Sequence, residues 1–189
     1  HFGKKKLGMF DSHKGMQFRN SLASSIMNEV MTAVIAPWGS GKTMLIRQLK
    51  KQVHNQGQPV NFVHVQSLDE QKVKIATILN AIIQDLAPNE GKRRDMEARS
   101  RQAIRILGSK LVNSGKHTCI IIEDAHRLHT NTLNSIRLMR ELDFAGKAPL
   151  FSVILIGWPE FEDKIKPGQN GKGGRPDIYN RISWQHLTA

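Results

Sequence analysis

Cysteine is almost absent from this sequence. Cys119 is the only one in 189 residues, which excludes an intramolecular disulfide and a cysteine-rich zinc site. Acidic residues are scarce as well: 16 Asp and Glu stand against 28 Lys and Arg, a formal charge of +12. So basic a chain favours a polyanionic partner, nucleic acid or a membrane surface. Long apolar runs are missing too, and none approaches the ~20 residues that a membrane-spanning helix needs. Lys4, Lys5 and Lys6 imitate the basic start of a secretion signal, but no continuous apolar stretch follows them. There is no internal repeat. What remains, 39% hydrophobic and 23% charged residues, is ordinary globular composition in a length suited to one domain. A soluble, cytoplasmic domain with no membrane partner is the expectation.

Short apolar runs alternate with longer amphipathic stretches. Residues 11–30 place Phe18, Leu22, Ile26 and Val30 four apart, which predicts a helix. A strand over 32–35 follows, then a helix over 42–54 closed by Gly57 and Pro59, then a strand over 60–65. The clearest helix spans 69–86, where Ile75, Ile78, Leu79, Ile82, Ile83 and Leu86 share one face. A basic helix over 93–113, a strand over 118–122 and a helix over 130–144 come next, the last with Leu133, Ile136, Met139 and Leu142 inward. Residues 150–156 are a strand without strict alternation, as expected when both faces are covered. A glycine-rich loop over 168–174 and a last strand over 182–187 complete the pattern. Strands separated by helices pair in parallel through crossovers, so the fold class is α/β: a parallel sheet of about five strands in a three-layer α/β/α sandwich.

Residues 36–43 read Ala-Pro-Trp-Gly-Ser-Gly-Lys-Thr. This is a phosphate-binding P-loop in which Ala36 stands where the first glycine is usual, placed as it should be between a strand and a helix. Backbone N–H groups of Gly39, Ser40, Gly41, Lys42 and Thr43 are expected to cradle phosphate at a positive helix N-terminus. Lys42 neutralises the β- and γ-phosphates and the Thr43 hydroxyl ligates Mg²⁺. Pro37, Trp38 and Met44 complete the expected nucleotide contacts, with Trp38 stacking on a neighbour or a subunit contact. ATP and Mg²⁺ are the ligands implied.

A second acidic signal completes the first. Cys119-Ile120-Ile121-Ile122 runs straight into Glu123-Asp124, two carboxylates at the carboxyl end of a parallel strand, where a Walker B motif belongs. The order is the reverse of the usual Asp-Glu. Glu123 takes the metal position and Asp124 the position that polarises the attacking water. Aspartate is one methylene shorter, and a base must act within hydrogen-bond reach, so slow hydrolysis is expected.

The P-loop, Glu123-Asp124-Ala125-His126-Arg127-Leu128 and Ile154-Leu155-Ile156-Gly157-Trp158-Pro159-Glu160, in this order and spacing, together resemble bacterial AAA+ ATPases of the ExeA, TniB, TnsC and MuB type. The likeness runs from about Ser12 to Leu187. It implies an AAA+ nucleotide-binding core over 12–189, preceded by a basic arm over 1–11, and an ATP-dependent oligomer, a ring or helical filament. In the transposition members it implies assembly on duplex DNA and communication with a transposase and target-selection proteins. Family members place groups around the adenine near Ser12-His13, which puts His13 among the nucleotide contacts. Arg181, just before the last strand, matches an arginine finger, with Arg175 the fallback. Trp158 stands where the family usually has a small polar residue that positions water. The family's C-terminal helical lid has no counterpart here, so no sensor 2 arginine is assigned.

Lys92, Arg93, Arg94, Arg99, Arg101 and Arg105 crowd one segment, opposed there only by Asp95 and Glu97. Such a run is either a solvated helix face or a surface that tracks DNA phosphates without reading bases. Lys92, Arg93, Arg94, Arg99 and Arg101 are the DNA-contact candidates. Lys164, Lys166, Lys172 and Arg175 form a looser second cluster around the glycine-rich loop. The reading that follows is an ATP-dependent, DNA-binding regulator of transposition. An ExeA-like ATPase of secretion or envelope assembly, and a nucleotide-gated scaffold with little turnover, stand as alternatives.

Overall fold

The computed structural model describes residues 13–66 and 73–187. The basic arm over 1–11 lies outside them, as do residues 67–72. The chain runs α1 (His13–Met27), β1 (Met31–Ile35), α2 (Lys42–Asn55), β2 (Val60–Val65), α3 (Ile75–Leu86) and α4 (Met96–Gly108), which passes into a π-helical turn over Ser109–Asn113. It continues through β3 (His117–Ile122), a 3₁₀ turn (Ala125–Arg127), α5 (Thr130–Glu141), β4 (Ser152–Gly157), α6 (Pro159–Ile165), α7 (Pro176–Tyr179) and β5 (Ser183–His186).

The five strands form one sheet in the order β2-β3-β4-β1-β5, and every pairing is parallel. Alternation along each strand sends side chains into two different layers. Met31, Ala33 and Ile35 of β1, with Ile120 and Ile122 of β3, pack against α3, α4, α5 and α6. Val34, Cys119, Ile121, Ile154 and Ile156 face the other way, onto Leu22 and Ile26 of α1 and Leu45, Leu49 and Val53 of α2. Both faces are apolar, so β1, β3 and β4 are apolar at nearly every position, and the three-layer sandwich expected from the sequence is what forms. Arg140, near the end of α5, donates to the carbonyls of Phe151 at 2.6 Å and Glu29 at 2.7 Å, tying together the approaches to β4 and β1.

Several element ends differ from the expectation. The first helix stops at Met27, and Val30 lies in the link to β1 beyond Glu29, whose φ of 51° no helix accommodates. The basic helix begins only at Met96, because the Asp95 carboxylate accepts the Ala98 N–H and caps it; Lys92, Arg93 and Arg94 therefore lie in the loop before it. The fifth helix ends at Glu141, and Leu142, expected inward, is 48% exposed. The third helix begins at Ile75 rather than at 69, because Lys74 before it is extended at φ −97° and ψ 159°; residues 69–72 of the expected helix lie outside the described ones.

Candidate nucleotide-binding site

Parallel pairing puts the carboxyl ends of β1, β3 and β4 side by side. Ile35 leads into the P-loop, Ile122 into Glu123 and Asp124, and Gly157 into Trp158. A cleft of about 450 Å³ opens there, lined by Trp38, Gly39, Ser40, Gly41, Lys42, Thr43, Asp124 and Trp158.

The loop has the features of an anion cradle. Gly39 and Gly41 adopt φ of 74° and 81°, a left-handed backbone that disfavours any side chain. Gly41 is the N-cap of α2 and no side chain caps that end, nor does any acidic residue stand in its first turn. The first amides of a 14-residue helix are thus left with the positive end of its dipole. Ser40 Oγ is buried without a partner. Ala36 lies outside the left-handed region, is fully buried, and donates its N–H to the Gly157 carbonyl at 2.9 Å. The first glycine is therefore not needed for backbone conformation.

The two carboxylates diverge. Asp124 holds a left-handed conformation, φ 52° and ψ 44°, before the 3₁₀ turn, and it lines the cleft. Strain of this kind on a non-glycine residue gathers at functional sites. Glu123 instead bonds His64 of β2, Oε1 to Nε2, at 2.8 Å. On the other side of that imidazole, Lys50 Nζ lies 3.5 Å from Nδ1. A lysine ammonium only donates, so Nδ1 accepts and Nε2–H is the proton given to Glu123. The His64 hydrogen bond is the main reason the Glu123 carboxyl is held below its ordinary range, with burial opposing and the Lys42 charge assisting.

Trp158 and His126 stack at 4.4 Å between ring centroids and 11° between planes, and the Lys42 ammonium lies 5.5 Å from the same indole centroid. Burial, above all, holds the His126 imidazole below its ordinary pKa, with the Asp124 charge opposing. Trp158 Nε1 and His126 Nδ1 are buried without hydrogen-bond partners. A glycine precedes Trp158 because a Cβ at Gly157 would meet Phe161 Cβ at 3.1 Å and the His126 backbone nitrogen at 3.2 Å.

The remaining expected residues are more dispersed. Pro37 and Met44 flank the cleft without lining it, and His13 is an exposed first residue of α1, also outside the lining. Trp38 rims the cleft, 85% exposed. Arg181 is exposed and pairs with Glu141 at 2.9 Å; Arg175 pairs with Asp177 at 2.8 Å. Of the DNA candidates, Lys92, Arg93 and Arg94 are exposed in their loop. Arg99 is instead a brace for that loop, donating to the carbonyls of Arg93 at 2.8 Å and Arg94 at 3.2 Å, and Arg101 pairs with Glu97 at 2.6 Å. Sequence reasoning missed His64 and Lys50, whose only signal is a histidine in the otherwise mostly apolar run 60–65.

The residues fit a magnesium-bound nucleoside triphosphate. Thr43 and Asp124 line the cleft beside the loop, a hydroxyl and a carboxylate of the kind that hold Mg²⁺ together with phosphate oxygens. A P-loop of this build is found in many NTPases, and the rest of the chain decides which. The family profile for the AAA domain matches residues 26–165. The chain belongs to that family. This AAA domain has the fold of the Aeropyrum pernix ORC2 protein, solved as ADPNP-ADP complexes, with a TM-score of 0.63 and 16% identity over 93% of this chain and 48% of that one. Cdc6p from Pyrobaculum aerophilum superposes with a TM-score of 0.62 and 16% identity, over 96% of this chain and 46% of that one. Drosophila ORC bound to DNA gives 0.58 and 13%, over 92% and 30%. At such identities the likeness is one of fold, and the AAA domain chain spans less than half the length of each of these proteins. No curated protein matches the sequence. No helix among the described residues is long and apolar enough to cross a membrane.

Proposed function

We propose that this AAA+ chain is an ATP-dependent, DNA-binding regulator of transposition, of the ExeA, TniB, TnsC and MuB type, that oligomerises on duplex DNA and communicates with a transposase and target-selection proteins. The observation that carries the nucleotide half is the convergence of the P-loop, Asp124 and Trp158 on one cleft at the carboxyl edge of the sheet. Lys42 and the α2 amides hold the phosphates. Thr43 and Glu123 hold Mg²⁺, with His64 fixing the Glu123 carboxylate. Asp124 polarises the attacking water, from one methylene further away than a glutamate would, and turnover is slow. Arg181 leaves Glu141 to reach the nucleotide of a neighbouring subunit in the ring or filament.

The DNA half is supported by the +12 charge, by the exposed basic loop at Lys92, Arg93 and Arg94, and by structural relatives solved with DNA, Drosophila ORC and the Aeropyrum pernix ORC1 protein. The order of the P-loop, the Glu123-Asp124 string and the Gly157-Trp158-Pro159-Glu160 string supports the ExeA, TniB, TnsC and MuB resemblance, and the +12 charge favours its DNA-binding members over an ExeA-like secretion ATPase. Binding to nonspecific duplex, followed by fluorescence anisotropy over a salt series, tests the proposal. Affinity rises with ATP, because each added subunit brings the same contacts again, and its log–log salt slope is about −0.9 per phosphate neutralised. Replacing Lys92, Arg93 and Arg94 with Ala flattens that slope by up to roughly 3 units and weakens all sequences alike. A chain that ignores DNA at low salt with ATP present overturns the DNA half. An unaltered slope in the triple variant removes this loop from the DNA surface.

A further inference from the structure

Three segments far apart in sequence meet over one indole. Lys42 opens α2, Trp158 caps the start of α6, and His126 belongs to the turn directly after Asp124. The imidazole lies flat on the indole, 4.4 Å between centroids and 11° between planes, and the Lys42 ammonium stands 5.5 Å from the indole centroid. Trp158 Nε1 and His126 Nδ1 are both buried without a hydrogen-bond partner. Two neighbouring unpaired ring nitrogens are unfavourable for the fold, and a pair of this kind calls for a functional reason. The ring is held by stacking on His126 and by the cation, and it lines the same cleft as the P-loop.

We propose that Trp158 is a latch for the P-loop lysine: with the cleft free of nucleotide its braced ring holds the Lys42 ammonium, and the phosphates of an incoming nucleotide must draw that ammonium away. The latch rests on the nucleotide-binding reading of the P-loop. An indole face attracts an ammonium through the negative lobe of its quadrupole, and the attraction is modest at a site open to water. A polyphosphate attracts the same ammonium far more strongly, so the ring always loses, but what it loses subtracts from the observed affinity. This gives the latch a signature that a packing role does not share. Removing a residue that merely shapes the cleft weakens nucleotide binding, whereas removing a competitor for Lys42 strengthens it.

Calorimetry with ATPγS and Mg²⁺ on the parent, Trp158→Leu and Trp158→Phe reads the sign directly. The expected result is binding about two- to fivefold tighter in Trp158→Leu, the equivalent of ~0.5–1 kcal/mol, with Trp158→Phe between it and the parent. The indole also reports its own surroundings. The part of the tryptophan emission that Trp158→Phe removes belongs to this ring, and it changes in the parent when ATPγS saturates the site. Equal or weaker binding by folded Trp158→Leu overturns the latch. Emission from this ring that ignores saturating nucleotide overturns it as well, whether or not Trp158→Leu folds. A parent that binds no ATPγS overturns the nucleotide reading itself and the latch with it.

Discussion

Gly108 offers a test in which two well-known effects oppose each other. It is the last residue of α4, where alanine is worth roughly 0.8–1.0 kcal/mol more than glycine by helix propensity. A Cβ at this position, however, would lie 2.2 Å from Phe144 Cγ, 2.4 Å from its Cβ and 2.7 Å from its Cδ1. These atoms are the base of the side chain, not its flexible end. Phe144 is itself fixed by paired backbone bonds with Lys147, both 3.0 Å, in the turn that leads toward β4. The added methyl therefore has to push the turn or the helix. Overpacking of this kind costs about 1–3 kcal/mol, which exceeds the propensity gain. Gly108→Ala should destabilise the chain by about 1–2 kcal/mol, a fall in Tm of roughly 2–8 °C at this length. In a Phe144→Gly background all three of these atoms are gone and the sign reverses: the same substitution should stabilise by about 0.5–1 kcal/mol. Urea denaturation of the four members of this cycle gives a coupling of roughly 2 kcal/mol. Stabilisation by Gly108→Ala in the parent, or equal destabilisation in both backgrounds, would refute the close approach as the reason for this glycine.

Lys42→Ala should abolish ATP binding by calorimetry, because the loop loses the side-chain cation that meets the phosphates; unchanged affinity would sink the P-loop assignment. His64→Ala should return the Glu123 carboxyl toward its ordinary pKa, since the His64 bond is the main cause of its depression. A depressed carboxylate contributes stability that is complete above its unfolded pKa and is lost as pH falls through the folded one, so acid unfolding of the variant should respond less to pH in that window. A carboxyl NMR titration checks the pKa itself. Arg181→Ala breaks only an exposed ion pair with Glu141, so stability should change by less than ~1 kcal/mol while ATPase of the assembled protein falls. Mixing it with Lys42→Ala subunits should restore part of that activity, and no rescue in demonstrably mixed oligomers counts against the finger.

Local chemistry is legible in the order of the residues alone. A strand, a turn with Gly39 and Gly41 and a helix opening at Lys42 are consecutive in the chain, so the anion cradle follows from residue order and from what glycine alone permits. The Glu123-Asp124 pair at the end of an apolar strand is equally local, and strands separated by helices leave parallel pairing as the outcome. Element ends are less legible: Val30 and Leu142 continue a helical spacing that the chain abandons, because periodicity carries no information about where the backbone turns. The partners are not legible at all. Whether Glu123 faces His64 depends on β2 lying beside β3, 59 residues apart in the chain, and Lys42, Trp158 and His126 share one ring only because β1, β4 and β3 end at one edge. The basic segment shows the same division: its charge is plain in the sequence, but the cap at Asp95 moves Lys92, Arg93 and Arg94 off the helix, and folding turns Arg99 back onto its own loop. Residue order determines what a short stretch of backbone can hold, whereas side chains distant in sequence acquire partners only when the sheet order brings their strands together.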